Sequence, residues 1–283
     1  GVDQDNASFT NCHVTSLIGG TSANYLTIGG LLGNSINGTI QDSSFTGVVS
    51  GVASGNCNAG GIAGSMDGDI STSYASAKVQ GQGDGVYAGG VAGLLINGFI
   101  ERCYAWTDVS AGGTSDVFVG GIAGDNQARI TMCYARGSVL GENGPADKYA
   151  GGIVGANSSG TIQFCAALND SISFLGALDV GGIGGGERLS PGTYASNYAA
   201  SDITVNSVST TTISGLIGDT TYTRSAFEGP PAGTLYGSAY LDWDFSSDWK
   251  FISGYNYPVL YWQTVGPADV ELANYLGIGF TWP

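Results

Sequence analysis

Small or apolar residues alternate with polar or aromatic residues along a segment that recurs through the chain. Its aligned copies contain Ser73, Ala75, Ala77, Val79, then Cys103, Ala105, Thr107, Val109, then Cys133, Ala135, Gly137, Val139. A period of two is typical of a β-strand with one buried face. No comparable stretch shows helical periodicity before the last twenty residues. The pattern therefore predicts short strands and excludes helical repeats.

A glycine-rich motif marks each repeat. Its six copies are IGGLLG (28–33), AGGIAG (59–64), AGGVAG (88–93), VGGIAG (119–124), AGGIVG (150–155) and VGGIGG (180–185). The first glycines of the successive pairs are 31, 29, 31, 31 and 30 residues apart. Self-similarity at a fixed period of this length indicates one elongated domain of stacked repeats rather than two globular domains.

The repeats continue with a Gly-x-Ile step, such as Gly68-Asp69-Ile70, with Ala128-Arg129-Ile130 as a variant, and a Ser or Cys follows three residues beyond the Ile. About 30 residues therefore supply three short strands, and coils of this kind stack about 4.8 Å apart in a parallel sheet. β-Propeller blades need four strands each, for which this repeat is too short. We predict an all-β fold, a parallel β-solenoid (β-helix). Phe9 and Cys12 follow the same rule, so a partial coil precedes the first complete one.

The repeat pattern decays after the sixth glycine motif, and aromatic residues become frequent. Ten aromatic residues lie within 236–262. An open solenoid end exposes core and unpaired strand edges, which need a cover. We therefore expect solenoid repeats over 1–230, an aromatic C-terminal cap over 231–263, and a tail over 264–283 that packs on the cap. Within that tail, 269–276 is expected to form a short helix.

Three of the five cysteines, Cys103, Cys133 and Cys165, share one repeat position with Ser43 and Ser73. A position that accepts either Ser or Cys favours a small inward side chain that packs beside its copy in the next coil. The odd number of cysteines excludes complete internal pairing. A metal site is disfavoured because no C-x-x-C motif or nearby His is present. We predict buried structural thiols.

If this column points inward, the adjacent residues point outward. The candidate ligand-binding residues on this outward face are Tyr74, Tyr104, Trp106, Tyr134 and Arg136. Aromatic rings one coil apart can stack on sugar rings or on apolar groups of a partner protein. They can also stack on one another and stiffen the sheet. The sequence leaves both interpretations open.

The chain has 23 acidic and 8 basic residues, a net charge of −15, and its cations are scattered. A surface for nucleic acid or anionic membranes is therefore not expected. No stretch of about 20 apolar residues predicts a membrane span. His13 is the one histidine. Neither a Ser-His-Asp triad nor an H-E-x-x-H zinc site is therefore expected.

Carboxylates are the remaining candidates for chemistry. Glycoside hydrolysis needs two of them about 5–10 Å apart. No spacing selects a pair among Asp67, Asp69, Glu101, Asp108, Asp125 and Asp170. The Asp67/Asp69 and Asp242/Asp244 pairs offer oxygen ligands to calcium, but they lie in no EF-hand loop or nonapeptide run, so isolated surface carboxylates are expected. We expect no catalytic residue, no metal site and no cofactor.

The unit G-G-I-A-G…G-x-I-x-x-C-Y-A…V resembles the GLUG repeat, which occurs in the non-catalytic part of bacterial IgA-specific metalloendopeptidases and in surface proteins of Bacteroides-type gut bacteria. Close matches are AGGIAGSMDGDISTSYASAKV (59–79), AGGVAGLLINGFIERCYAWTDV (88–109) and VGGIAGDNQARITMCYARGSV (119–139). The ending WDFSSDWKF…YNYPVLYW (243–262) is similar to the segment that often closes such arrays. The resemblance covers about 8–263.

This resemblance implies a secreted or surface-exposed β-helical protein, with a lipid anchor in the outer membrane as one form of attachment. It carries no protease activity to this chain, because the zinc motif is absent. We predict a non-catalytic bacterial cell-surface repeat protein, an adhesin whose partner is a host glycoprotein or glycan. The alternatives are a structural stalk of a larger surface protein and a carbohydrate-active enzyme with an unrecognised carboxylate pair. A monomer is favoured.

Overall fold

A computed structural model describes residues 3–142, 147–175, 179–181, 183–186, 192–200, 202–207, 220–222, 243–252 and 257–264. The chain winds through three parallel sheets in turn, and successive coils are about 31 residues apart. The parallel β-solenoid is therefore confirmed. No α-helix is found within the described ranges, and nothing there could cross a membrane as a helix.

Each sheet takes its name from the residue that recurs in it. The strands of the glycine sheet are Leu26–Gly29, Cys57–Gly60, Val86–Gly89, Val117–Gly120, Lys148–Gly151 and Asp179–Gly181. Those of the isoleucine sheet are Asp3–Asp5, Ser8–Thr10, Leu32–Gln41, Ala63–Ser71, Ala92–Glu101, Ala123–Asn126, Arg129–Thr131, Val154–Asn157, Thr161–Gln163, Gly184–Gly186 and Thr193–Ala195. Those of the tyrosine sheet are His13–Ser22, Ser44–Ala53, Tyr74–Gly83, Tyr104–Gly113, Tyr134–Arg136, Ser138–Glu142, Ala166–Ala167, Ser171–Phe174, Tyr198–Ala200, Thr204–Ser207 and Thr220–Tyr222.

Equivalent residues of successive coils pair in register. The first glycines of the six motifs form one continuous row through the glycine sheet: Gly29, Gly60, Gly89, Gly120, Gly151 and Gly181. Phe9 of the partial first coil pairs with Ile40, as the repeat rule predicts. The spacing of the motif in the sequence thus corresponds to one turn of the solenoid.

At the glycine motifs the backbones of two sheets approach each other closely. A Cβ at Gly93 would lie 2.7 Å from the amide nitrogen of Ala59 and 2.7 Å from the carbonyl oxygen of Tyr87. The backbones of the glycine sheet and the isoleucine sheet are therefore almost in contact there. Only a residue without a Cβ permits this approach.

The predicted inward column lies at the corner between the isoleucine and tyrosine sheets. Its members are all buried: Ser43, Ser73, Cys103, Cys133 and Cys165. The hydroxyl of Ser73 accepts the backbone N–H of Ser43 at 3.1 Å, which links two coils. The Ser73 hydroxyl also donates to the carbonyl of Ser71 at 2.7 Å, and the thiol of Cys133 donates in the same way to the carbonyl of Thr131, 3.1 Å away. All five cysteines are free, so the prediction of buried thiols holds for this column.

The residue before each column position adopts a left-handed backbone conformation. The φ angles of Thr72, Arg102 and Met132 are 43°, 51° and 52°, and Phe164 has 55°. None of these four residues is Gly, Asn or Asp, the types that favour this conformation, so the sequence carries no signal for the turn in their coils. In the first two coils the equivalent residues are Asn11 and Asp42, which do favour it. The turn redirects the chain from one sheet to the next within two residues, and its backbone N–H groups bond the neighbouring coil, as from Thr72 to Glu101 at 3.1 Å.

Thiol reactivity tests the buried column. Burial raises the pKa of Cys133 well above its usual value and raises the pKa of Cys57 to about 11. Because the thiolate is the reactive form, we expect Cys12, which is partly exposed, to react at pH 8 roughly a hundredfold faster than the other four in the native protein. Titration with Ellman's reagent should count one fast thiol before unfolding in urea and five afterwards. Two or more fast thiols in the native protein would contradict the described core.

The described part of the aromatic C-terminal segment lies along the side of the solenoid, and the rest of the predicted cap over 231–263 lies outside the described residues. The described part comprises residues 243–252 and 257–264, here named the C-terminal clamp. It contains two short antiparallel strands, Trp249–Lys250 and Val259–Leu260. The clamp packs against the outer face of the tyrosine sheet. The predicted helix over 269–276 lies outside the described residues.

Candidate functional site

The predicted tyrosine ladder exists. Tyr74 and Tyr104 stack in parallel with their ring centroids 4.8 Å apart, and Tyr104 and Tyr134 stack with centroids 5.0 Å apart. The spacing of the rings follows from the register of their strands, in which the three tyrosines are direct partners. Self-stacking of the ladder, one of the two interpretations left open by the sequence, is therefore present.

The expected exposure of this ladder is not found. Tyr104 and Tyr134 are 0% and 1% exposed, because the clamp covers them. The Gln263 amide donates to the hydroxyl of Tyr104 at 2.8 Å, and the hydroxyl of Tyr134 donates to the carbonyl of Pro258 at 2.7 Å. Burial raises the pKa of Tyr134 far above its usual value. The rings do point away from the solenoid core, but they contact the chain's own C-terminal residues rather than solvent.

Two tryptophans of the clamp occupy gaps in the ladder. Trp262 contacts the rings of His13 and Tyr74, with centroids 4.8 Å and 5.8 Å away, and so spans the intervening coil, where the column residue is Ser44. Its indole N–H donates to the carbonyl of Thr72 at 2.9 Å. The small side chain of Ser44 leaves the space that this indole fills.

Trp243 repeats this arrangement further along the ladder. It packs in the same cluster as Ala166, the small residue that follows Tyr134 in the column. Its indole N–H donates to the carbonyl of Phe164 at 2.9 Å. Phe164 and Thr72 occupy the same left-handed corner position in different coils. The clamp thus uses equivalent acceptors of the repeat at two separate points.

An ion pair also joins the clamp to the solenoid. Arg102, at another left-handed corner, bonds the carboxylate of Asp248 at 3.1 Å and that of Glu101 at 2.5 Å. Glu101 also lies 3.4 Å from Arg129 of the next coil. Partly exposed pairs of this kind contribute little each, so the aromatic contacts carry most of the clamp's stabilisation.

Trp106 and Arg136 lie in the next outward column, at the margin of the clamp. The guanidinium carbon of Arg136 is 4.3 Å from the Trp106 ring centroid and 4.0 Å from that of Tyr257. Both predicted residues are half-buried. The structure therefore brings all five predicted site residues together on one face, in two adjacent columns, and partners them with one another and with the clamp.

Beyond this margin the outer face of the tyrosine sheet is open. A groove of about 460 Å³ crosses three coils there. The groove is lined by polar and charged residues and by the apolar Leu140. The polar and charged ones are Lys78, Gln80, Gln82, Asp108, Ser110, Ser138 and Glu142. These side chains point outward like the tyrosines, because they lie an even number of residues further along the same strands. They are not among the predicted ligand-binding residues, although the same alternation predicts their direction.

Asp108 and Glu142 are the two carboxylates that line the groove. No group of three or more His, Cys, Asp or Glu residues suited to a metal ion occurs in the described part of the chain. Asp244 accepts hydrogen bonds from the Ser246 side chain, the Ser246 N–H and the Ser247 side chain, and these bonds lower its pKa to about 2. Asp242 lies outside the described residues.

His13 lies in the partial first coil. Its Nδ1 is 3.0 Å from the hydroxyl of Ser44, and its Nε2 is 2.9 Å from the side-chain oxygen of Asn11. Ser44 is buried, and the ring of Trp262 lies against the imidazole. The histidine therefore takes part in the contact between the clamp and the first coil.

The fold and this face define a parallel β-solenoid that is bound along one side by its own C-terminal residues. No family model matches the chain, and no curated protein matches it. Among solved structures it is similar to a "putative immunoglobulin A1 protease from Bacteroides ovatus", with 24% sequence identity and a TM-score of 0.60. The similarity covers 92% of this chain and 77% of that one. At this identity the comparison shows the shared fold.

Proposed function

We propose that the chain is a non-catalytic GLUG-type repeat protein of the bacterial surface or exterior, an adhesin that binds a host glycoprotein or glycan. The repeat motif and the similarity in fold to the Bacteroides ovatus protein support the class. The proposal assigns no proteolysis, because the chain contains one histidine and no H-E-x-x-H motif. A secreted or surface location, with or without a lipid anchor, and a monomeric state are parts of this proposal.

The open groove on the tyrosine sheet is the observation that carries the binding role. Concave sites with a few convergent polar groups are where proteins bind small ligands and glycan segments. The side chains of Lys78, Gln80 and Gln82 have no hydrogen-bond or ion-pair partner in the described part of the chain. Their donors and acceptors are therefore available to a ligand, in contrast to the covered tyrosines.

A structural stalk is the second candidate. The clamp favours it, because His13, Tyr104 and Phe164 belong to well-separated coils and all contact clamp residues. Contacts of this kind make a solenoid stiffer than neighbour-to-neighbour stacking alone. A stalk would need the clamp and no groove, so binding measurements separate the two candidates.

A screen against immobilised glycans and mucin-type glycoproteins tests the adhesin. We expect binding that falls about tenfold or more in the double variant Gln80→Ala/Gln82→Ala, because each lost amide removes hydrogen bonds worth about 1 kcal/mol apiece. The matched control is Gln41→Ala/Gln163→Ala, which removes two amides from the strand ends of the isoleucine sheet. Absence of any ligand would favour the stalk, and equal loss in both double variants would remove the groove from the binding site.

A further inference from the structure

The orientation of the groove residues follows from the stacking of the coils. Its residues form columns that run along the solenoid axis: Lys78, Asp108 and Ser138 in one, Gln80, Ser110 and Leu140 in the next. Neighbouring members of a column are separated by one interstrand spacing, about 4.8 Å. A ligand lying in the groove parallel to the axis therefore meets the same set of positions again at every coil.

The length of this step limits what can match it. One pyranose ring in an extended glycan advances the chain by a distance close to the interstrand spacing of about 4.8 Å. An extended peptide advances by about 3.3 Å per residue and would fall out of step with the coils. A linear glycan along the axis would place one sugar on each of the three coils.

The chemistry of the lining suits hydroxyl groups. Gln80 supplies an amide donor and acceptor, Asp108 supplies acceptors, and Lys78 supplies donors. The side-chain oxygen of Ser110, in the middle of the groove, is buried and has no hydrogen-bond partner within the described ranges. Leu140 adds an apolar contact of the kind that fits the C–H face of a sugar. A buried hydroxyl without a partner is costly unless a ligand or water completes its hydrogen bonds.

Charge disfavours an acidic ligand. Lys78 is the one cation among the groove residues, against Asp108 and Glu142. The chain as a whole carries a net charge of −15. A polyuronate or a sulfated glycan would therefore be repelled by both the groove and the rest of the surface.

We infer that the groove binds a linear, uncharged glycan aligned with the solenoid axis, with three consecutive sugars on three coils. This inference rests on the proposed binding function and specifies its ligand class. The central sugar bonds Ser110, and the two flanking sugars meet the equivalent positions of the adjacent coils, where one bonds Gln80 and the other packs on Leu140. Specificity comes from the neutral, hydroxyl-rich character of the ligand and from its extended shape.

Calorimetric titration with oligosaccharides of defined length tests this inference. The probes are β-1,4-linked glucose and N-acetylglucosamine oligomers of one to six sugars, with oligogalacturonates as the acidic comparison. In at least one neutral series we expect the affinity to rise tenfold or more from one sugar to three and less than threefold from three to six. It should change less than twofold between 50 and 500 mM NaCl. Oligogalacturonates of equal length should bind at least tenfold more weakly.

Two variants assign the binding to the groove. Gly112→Trp places an indole in the groove and should abolish binding. It should not lower the melting temperature, because a Cβ at Gly112 would have its nearest neighbour 3.5 Å away. Ser110→Ala should weaken binding about fivefold, and it tests the site if the larger substitution impairs folding. Gln163→Trp on the isoleucine sheet is the matched control and should bind as the parent does.

The outcomes separate this inference from the function on which it rests. Failure of every neutral oligomer to bind, or tighter binding of the acidic series, would overturn the ligand class, while glycoprotein binding in the broader screen would leave the adhesin proposal standing. Affinity independent of length would overturn the axial alignment. Unchanged binding in both groove variants would overturn the site.

Discussion

Replacing Trp249 by alanine is expected to lower the free energy of unfolding by about 3–5 kcal/mol, the usual loss for a large buried aromatic side chain. Trp249 is fully buried. Its ring centroid lies 4.4 Å from that of Trp243, 5.8 Å from that of Tyr134 and 6.4 Å from that of Tyr104. Removing it opens a cavity between the clamp and the ladder. Urea denaturation followed by tyrosine and tryptophan fluorescence measures the change.

Two companion variants make this result specific. Trp249→Phe keeps most of the packing, and the indole nitrogen it removes has no hydrogen-bond partner within the described ranges, so the loss should be less than half of that for alanine. Tyr261→Ala removes a side chain of the same segment that is 51% exposed and should change stability by about 0.5 kcal/mol or less. If Trp249→Ala were as mild as Tyr261→Ala, the clamp would not be docked as described.

Gly89→Ala should lower the free energy of unfolding by about 3 kcal/mol or more. If the loss is larger than the protein can tolerate, no soluble folded protein will be obtained. A Cβ at this position would overlap the carbonyl oxygen of Ala92 and lie 2.7 Å from the Cα of Ala123. All of these neighbours are backbone atoms held by the parallel pairing of adjacent coils, so none can move without breaking the ladder. Thermal and urea unfolding of the purified variant measure the cost.

The matched control lies elsewhere in the same repeat. At Gly112, on the outer face of the tyrosine sheet, a Cβ would have its nearest neighbour, the Glu142 carbonyl oxygen, at 3.5 Å. Gly112→Ala should therefore change stability by less than about 0.5 kcal/mol, because surface substitutions away from special features usually do. Equal effects at Gly89 and Gly112 would contradict the described contact between the glycine and isoleucine sheets.

The clamp changes how the solenoid is expected to unfold. Stacked repeats normally contact only their neighbours, so local opening can begin at either end. Here one C-terminal segment contacts the first partial coil through His13 and a late coil through Phe164. These contacts couple coils that do not touch each other. They also give the described aromatic residues of the clamp a role along the side of the solenoid.

Much of the fold could be predicted because its determinants are local and repeated. The spacing of the glycine motif equals one turn, and the alternation that places Ala75, Ala105 and Ala135 inward is a property of each strand by itself. The inward Ser/Cys column followed from the same parity. The left-handed corners at Thr72, Arg102 and Met132 could not be predicted, because these residue types do not favour that conformation and adopt it only under the pairing of adjacent coils.

The candidate site shows the same division. Strand parity predicted that Tyr104 and Trp106 point away from the core, and the structure agrees. Parity did not predict which residues cover them. That depends on Trp249 and Gln263, which lie about 150 positions further along the chain and contact the ladder only after the coils have stacked. The sequence by itself determined the coil, its register and the direction of each side chain, since these repeat locally. Only the tertiary structure decided that the tyrosine columns are covered and the groove at Ser110 is open, because long-range packing chooses which outward columns the C-terminal residues bury.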